Sequence, residues 1–452
     1  MELTKQDLAQ MAQAYKKDTA QQIAEQAVKN NGIHASSERE NVVVTKNNFV
    51  FSIDVDSEAV ANQEQSGRCW MFSALNFLRF HVEKQLKLPK GSFQLSQNYN
   101  FFYDKLEKSN FFMENIVKYA KEDLNDRRID FLLATPQQDG GDWDPVCALI
   151  EKYGVVPREA MPDTKVTLDT SEFNAVLNRL LREDAFELRA MVRDGKSDEK
   201  IEKTRKDMLS DIYRMLCVSF GQPPEKVDFE YRDTDKQYHA GYGLTPLEFY
   251  KKYLGEIRLD DYVGVMNLPV DGMEYNKAYE IDMTGEVLGA KRRCRYVNVP
   301  IDVMKQATIK QLKAGEPVWF GCDVLQDSDF AKGIMSLNLY DVQKMMGLEF
   351  KLNKGERFQY NQSLPTHAMM IAGVDLDEDG NPIRWKVENS WGTTAHGKPV
   401  GHQGYFIMDD SWFDEYMYEV AVRKEYLPEE YRKALDAEPE VLPYWNTFNP
   451  EP

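Results

Sequence analysis

Apolar residues are spread unevenly along the 452 residues, and the spacing changes three times. Leu8, Met11, Ala12 and Tyr15, then Ile23, Ala27 and Val28, fall at helical intervals, and Asn30-Asn31-Gly32 closes the second helix. Val42 to Ser52 holds short β-prone runs. From Cys69 the apolar positions crowd together as Trp70, Met71, Phe72, Ala74, Leu75, Phe77 and Leu78, the signature of a buried helix running to about Leu86 before Pro89 and Gly91. Leu95–Tyr99 opens another helix and Asn115–Ala120 follows. The aromatic residues between them, Tyr99, Phe101, Phe102, Tyr103, Phe111 and Phe112, read as core. Ser171 to about Phe220 is helical and highly charged, with Phe173, Val176, Leu177, Leu180 and Leu181 on one stripe and Ile212, Met215 and Leu216 on a second. Thr245-Pro246 starts a further helix.

Beyond Val299 the period shortens. Ile301–Ala314 keeps helical spacing, but Pro317–Val324, the run from His367, Ile383–Val387, Gly404–Met408 and Tyr418–Val422 read as strands with hairpin-like connections. Asp375 to Gly380 has the carboxylates of a calcium loop but not its closing glutamate, so it reads as a hairpin turn. The proline-rich stretch from Leu427 reads as an extended arm.

Composition narrows the function classes. A hydrophobic fraction of 42% and a charged fraction of 29% fit a globular protein with ample core. A net charge of -18 opposes sequence-independent nucleic-acid binding and suits solubility. No apolar run of about 18 residues offers a membrane span, and the first residues are too polar for a signal peptide. The five cysteines are widely spaced without a zinc pattern, and no metal or organic cofactor is expected.

Chemistry concentrates where the helix from Cys69 begins. A thiol at a helix N-terminus meets free N–H groups and the positive end of the macrodipole, which favour a thiolate. Gln63, six residues upstream, can offer its amide N–H to an oxyanion. Among six histidines, His367 heads a buried strand, and Glu388-Asn389-Ser390-Trp391-Gly392 ends the next one. A hairpin between them brings Asn389 to His367, where its oxygen can fix the imidazole tautomer while Trp391 shields the bond. His34, His81, His239, His396 and His402 lack such company and read as packing or surface residues, and Cys147, Cys217, Cys294 and Cys322 as inert.

Together, Gln63 to Trp70, His367-Ala368, Asn389-Ser390-Trp391-Gly392 and Gly140-Gly141 resemble the papain-type cysteine peptidase signature. Ser66-Gly67-Arg68-Cys69-Trp70-Met71-Phe72, the length and the insertion make the chain similar to the bleomycin hydrolase and bacterial aminopeptidase C group. The resemblance implies an α+β, papain-like two-domain fold. Its parts are an N-terminal arm (1–55), a helical domain with the nucleophile (56–170), a helical insertion (171–298), an antiparallel β half-barrel bearing His and Asn (299–425), and a C-terminal arm toward the cleft (426–452). It implies a Cys69-His367-Asn389 triad working through a thioester, Gln63 in the oxyanion hole, and Gly140, Gly141 and Trp391 beside substrate. It further implies peptide substrates, a cytoplasmic location and a homohexameric assembly. Secreted relatives bridge two cysteines at positions held here by Ser66 and Gln138, an absence that suits a reducing compartment. In the group, the C-terminal carboxylate stands in the cleft and limits cleavage to amino ends, a part that falls here to Pro452. The tail keeps Leu442-Pro443 but departs from the group's pattern at its end, which leaves an endopeptidase as the alternative to an aminopeptidase. An acyl transferase using the same thioester and a catalytically silent scaffold are the remaining readings.

Overall fold

In the computed structural model all residues are described except 56–57, 285–286, 396, 445, 447 and 449–452. The N-terminal region forms helices α1 (Lys5–Lys17) and α2 (Thr19–Asn31), capped by Thr4 and Asp18. Neither buries a residue, and Leu8, Met11 and Ile23 are exposed. The first part of the run expected to be β-prone becomes helix α3 (Glu40–Lys46) instead, which buries Val42 alone. Among the described residues of this region the strand is β1, Ile53–Asp54.

Helix α4 (Cys69–Gln85) is buried nearly all round, as its composition demands. Next comes α5 (Gln97–Lys118), capped by Ser96, one 22-residue helix where two had been expected. Four of the six aromatics assigned to the core are fully covered, and Tyr103 packs against the same cluster. Helix α6 (Trp143–Tyr153) follows the Gly140-Gly141 loop. The insertion contributes α7 (Ser171–Arg193) and α8 (Asp198–Phe220), joined by a short turn. Phe173, Leu177 and Leu181 of its stripe are buried, while Val176 faces out. A hairpin of β2 (Val227–Arg232) and β3 (Tyr238–Leu244) leads into α9 (Pro246–Leu254), where Thr245 and Glu248 form a capping box ahead of Pro246.

The stretch expected as helical insertion is helical only in its first part. Its end supplies β4 (Tyr262–Met266), β5 (Lys277–Ile281) and β6 (Arg295–Asn298), which extend the main sheet, so the expected boundary at 298 falls within the sheet. After α10 (Ile301–Lys313) come β7 (Val318–Cys322), β8 (His367–Leu376), β9 (Pro382–Glu388) and β10 (Tyr405–Asp409). Helix α11 (Asp410–Tyr416) then carries the chain to β11 (Met417–Arg423). The order β4-β11-β7-β8-β9-β10 is antiparallel throughout. The expected hairpin connection holds for β8–β9, with its turn at Asp377–Asn381. It fails for β10–β11, because β11 lies between β4 and β7 and the chain must cross over through α11.

Alternation along the strands feeds two cores. Trp319, Ala368, Met370 and Ala421 face α4, while Val318, Phe320, Met369 and Ile371 face α10 and α11. The expected arm is more structured than its prolines suggested. It forms α12 (Glu429–Asp436) and β12 (Glu440–Leu442), which pairs with β5, and it buries Leu442, Tyr444 and Phe448.

Candidate active site

The structure brings the sequence-derived residues together from both sides of the interface between α4 and the sheet. Cys69 is the first residue of α4, with no side-chain cap ahead of it. Its thiol meets the backbone N–H groups of Ala368 and Trp70 and its own, so it lies beside the residue that follows His367. These N–H groups pull the thiol pKa down, as its place on the helix suggested, but burial pushes it up and prevails. Cys147 and Cys322, fully covered, are pushed up much further.

His367 begins β8, opposite Cys322 of β7. Its Nε2 lies 2.8 Å from Asn389 Oδ1. That oxygen also accepts the Ser390 N–H at 2.7 Å, so Asn389 is held from two sides. The ring of Trp391 stacks on the imidazole, with centroids 4.7 Å apart and planes 29° apart. Asn389 is fully buried and His367 nearly so. Burial lowers the imidazole pKa to about 4, against the opposing effect of the Asn389 hydrogen bond. Taken singly, both groups are driven toward their uncharged forms by burial, where the sequence had suggested a standing thiolate.

Gln63 is fixed by the partner wall. Its N–H donates to Ser390 O at 2.8 Å, and Ser390 Oγ donates to its side-chain oxygen at 2.7 Å. Asn62 bridges to Trp391, and Gly392 N–H donates to Ala61 O. The loop of Gln63 and the end of β9 are thereby zipped together. One amide hydrogen of Gln63 goes to Ser66 O at 2.5 Å, which leaves the second for a ligand.

Buried charge holds the loop just before Cys69. Arg68, fully buried, donates to Ser66 Oγ, Asp163 Oδ1 and Thr167 O at 2.8, 2.7 and 2.6 Å and packs over Phe72 and Phe101. Ser66 thus sits in a hydrogen-bonded brace at the position where secreted relatives have a cysteine.

Gly140 and Gly141 lie on the loop after Asp139, which is tied to the start of α4. Asp139 accepts from Gly67 N–H, Lys105 Nζ, Thr170 Oγ1 and Asn174 Nδ2, and its carbonyl accepts Trp70 Nε1–H at 2.8 Å. These donors hold its carboxyl far below the usual range despite burial. Gly141 must be glycine because a Cβ would lie 2.6 Å from the Trp70 ring. Lys108 donates to the carbonyls of Gln138 and Gly140.

Pro452 lies outside the described residues, as does His396. The other histidines are spoken for elsewhere: His34 stacks on Tyr340, His239 pairs with Asp233, His402 stacks on Phe49, and His81 packs against Phe77 and Phe80 within α4. Among the described residues no group of three or more His, Cys, Asp or Glu side chains is placed to hold a metal, and no helix is long and apolar enough to cross a membrane. Sequence reasoning missed Ser390, Arg68, Asp139 and Lys105 as braces, although Ser390 stood within the quoted motif. Arg68 likewise stood within a quoted motif, whereas Asp139 and Lys105 had no signal, since they are distant in sequence from one another.

A buried helix that opens on a cysteine, set against a strand that opens on a histidine paired with asparagine, defines a cysteine-type peptidase of papain-like architecture. The chain belongs to the Peptidase C1-like family, whose model matches residues 2–449. It is 46% identical over 422 residues to Aminopeptidase C of Streptococcus thermophilus, covering 93% of each chain. It is 44% identical over 416 residues to Aminopeptidase C of Lactobacillus helveticus, covering 92% of this chain and 90% of that one. The crystal structure of PepW from Lactobacillus rhamnosis HN001 matches with a TM-score of 0.95 at 46% identity, covering 100% of this chain and 99% of that one.

Proposed function

We propose that the protein is an aminopeptidase that releases N-terminal residues from peptides through Cys69, His367 and Asn389. The observation that carries this reading is the His367–Asn389 hydrogen bond under Trp391, with the Cys69 thiol against the N–H of Ala368. Asn389 accepts from Nε2, so Nδ1 is the ring nitrogen left to take the thiol proton. Because burial disfavours charge on either partner alone, the proton passes from Cys69 to His367 as the sulfur attacks the peptide carbonyl. The resulting pair of opposite charges is short-range and mutually stabilising. The second Gln63 N–H and the Cys69 backbone N–H receive the developing oxyanion. Imidazolium protonates the leaving amine, and neutral His367 then activates water to cleave the thioester. Gly140 and Gly141 align the substrate backbone, and Trp391 keeps water from the His367–Asn389 bond.

The names of the relatives support action at amino ends. In this reading the carboxylate of Pro452 limits access to the cleft, and the docking of Leu442, Tyr444 and Phe448 gives the tail a fixed point of departure. The exposed apolar residues of α1 and α2 support a homo-oligomer, a hexamer by resemblance, and the five free thiols suit the cytoplasm. The test is one peptide in two forms, with a free or an acetylated amino terminus, its products identified by mass spectrometry. Cleavage of the free form alone, one residue at a time, is expected. Equal cleavage of both forms would overturn the restriction to amino ends in favour of an endopeptidase.

A further inference from the structure

The lacing between the Gln63 loop and the end of β9 continues in side chains. Asn62, whose backbone pairs with Trp391, lies over Gly392, where an added Cβ would come within 2.9 Å of Asn62 Nδ2. From there the amide turns to the next residue but one. Its Nδ2 donates to Glu64 Oε1 at 2.6 Å, and its Oδ1 accepts the Glu64 N–H at 3.0 Å. The Glu64 carboxylate is thereby fixed beside Trp391-Gly392, one residue along the chain from Gln63.

Two features set Glu64 apart from an ordinary surface acid. Its φ is 51°, in the left-handed region that glycine and asparagine enter at less cost than glutamate. Strain of this kind in a loop beside the chemistry points to a demand for the side chain itself. The second feature is that its charge is unanswered. The residue is exposed, its carboxylate takes a neutral hydrogen bond from Asn62, and no lysine, arginine or histidine among the described residues pairs with it. Asp139 and Asp163, the carboxylates that brace the same loop, each pair with a buried cation.

The place of Glu64 relative to substrate follows from the peptidase reading above, on which the inference rests. There His367 protonates the leaving amine, so the substrate beyond the scissile bond runs past the imidazole and the ring that covers it. Trp391 offers that part of the substrate an apolar wall. Phe330, 37% exposed, extends it, its ring centroid 4.8 Å from that of Trp391 and its plane at 72°. A carboxylate at the edge of such a wall suits a side chain with an apolar stem and a cationic end. An extended peptide advances about 3.3 Å per residue, so the first residues after the scissile bond are those that pass it. We propose that Glu64 is a specificity-determining residue that receives a lysine or arginine side chain from one of the two residues following the scissile bond.

The test measures cleavage after leucine in peptide amides that differ at one position. Leucyl-lysyl-glycinamide is set against leucyl-norleucyl-glycinamide, and leucyl-glycyl-lysinamide against leucyl-glycyl-norleucinamide. Wild-type enzyme should favour the lysine member of one pair by about threefold to fivefold in kcat/KM, the size of an exposed ion pair, and that pair names the position. The preference should fade in about 1 M sodium chloride, which screens exposed charges. Glu64→Gln keeps an acceptor for Asn62 Nδ2 and should bring the ratio close to one. Glu64→Lys should invert the preference, so that a glutamate at the same position is cleaved faster than lysine. Ratios taken within one variant cancel any general loss of activity. Equal rates on the members of both pairs in the wild type would overturn the inference. So would a ratio unchanged in Glu64→Gln, which would assign the preference to the net charge of -18 rather than to this residue. A wild type that cleaves none of the four peptides overturns the peptidase reading instead.

Discussion

The two walls that meet at Cys69 and His367 are built differently. On the Cys69 wall, loops are pinned by buried charge: Arg68 to Asp163, Lys105 to Asp139, and Lys108 to two carbonyls of the Gly140 loop. On the His367 wall, position follows from strand register, with β7 and β8 carrying apolar residues on both faces. Loops have no ladder to fix them, so their polar atoms need individual partners. Strands obtain the same precision from the backbone. The Cys69 wall should therefore fail when a charge is removed, and the His367 wall when packing or register is lost.

The largest effect is expected at the junction itself. Cys69→Ala should abolish hydrolysis of any peptide while the far-ultraviolet circular dichroism spectrum and unfolding midpoint stay close to wild type, because a small, half-buried side chain at a helix start contributes little packing. Measurable turnover by the purified variant would remove Cys69 from the chemistry.

Gln63 belongs by sequence to the first wall but is held by Ser390 of the second. Gln63→Ala should lower kcat by about 10²–10³, the usual cost of one oxyanion donor. A change confined to KM would show that the amide only binds substrate. Lys105→Met probes the first wall's charges directly. Lys105 and Asp139 are buried together at 2.6 Å, and removing one partner of such a pair costs about 3–5 kcal/mol. Denaturant unfolding reads this loss, and a cost below about 1 kcal/mol would mean that Thr170, Asn174 and Gly67 suffice for Asp139. On the second wall, Asn389→Ala should be milder than Gln63→Ala, about tenfold in kcat, because Trp391 still stacks on the ring when the hydrogen bond is gone. A loss larger than that of Gln63→Ala would reverse their ranking.

The same contrast decides what could be read from the sequence. The central strands of the second wall show as short continuous apolar runs because both their faces are buried, and Cys69, His367 and Asn389 were legible because each sits where an element begins or ends. Helix α4 was legible because a helix covered on all sides is apolar on all sides. The pins of the first wall were not legible, since Arg68 and Asp163, or Lys105 and Asp139, are local in space only. Nothing in the sequence around Lys105 marks it as buried. The strands β4 to β6 were misjudged because short segments between turns carry too few residues to show a period. α12 was missed because the prolines around it suggested extension, although Pro428 immediately precedes a helix, where proline is tolerated.

The smallest effect, per unit of the variable changed, concerns acid. His81 in α4 and His367 in β8 both have imidazole pKa values lowered by burial to about 4, from an ordinary value near 6.5. Well above pH 6.5, from about pH 8, both rings are neutral in folded and unfolded chains and contribute no pH dependence. Between pH 6.5 and about 4 the unfolded chain takes up protons that the folded chain refuses, so each histidine makes the fold less stable as pH falls. The slope is at most about 1.4 kcal/mol per pH unit for each ring. Buried carboxyls such as Asp184, raised to about 6, and Glu419 act in the opposite sense over this range, so the whole protein reports only a net slope. The His81→Phe variant isolates one contribution. Its ring can occupy the site between Phe77 and Phe80, and it takes up no proton in either state. Compared with wild type, its unfolding free energy should fall less steeply between pH 6.5 and 4.5, by about 1 kcal/mol per pH unit, with the two curves parallel above about pH 8. Parallel curves throughout would mean that His81 finds a way to hold its proton inside the fold, most directly by drawing on Glu316, the carboxylate that acts on it most strongly.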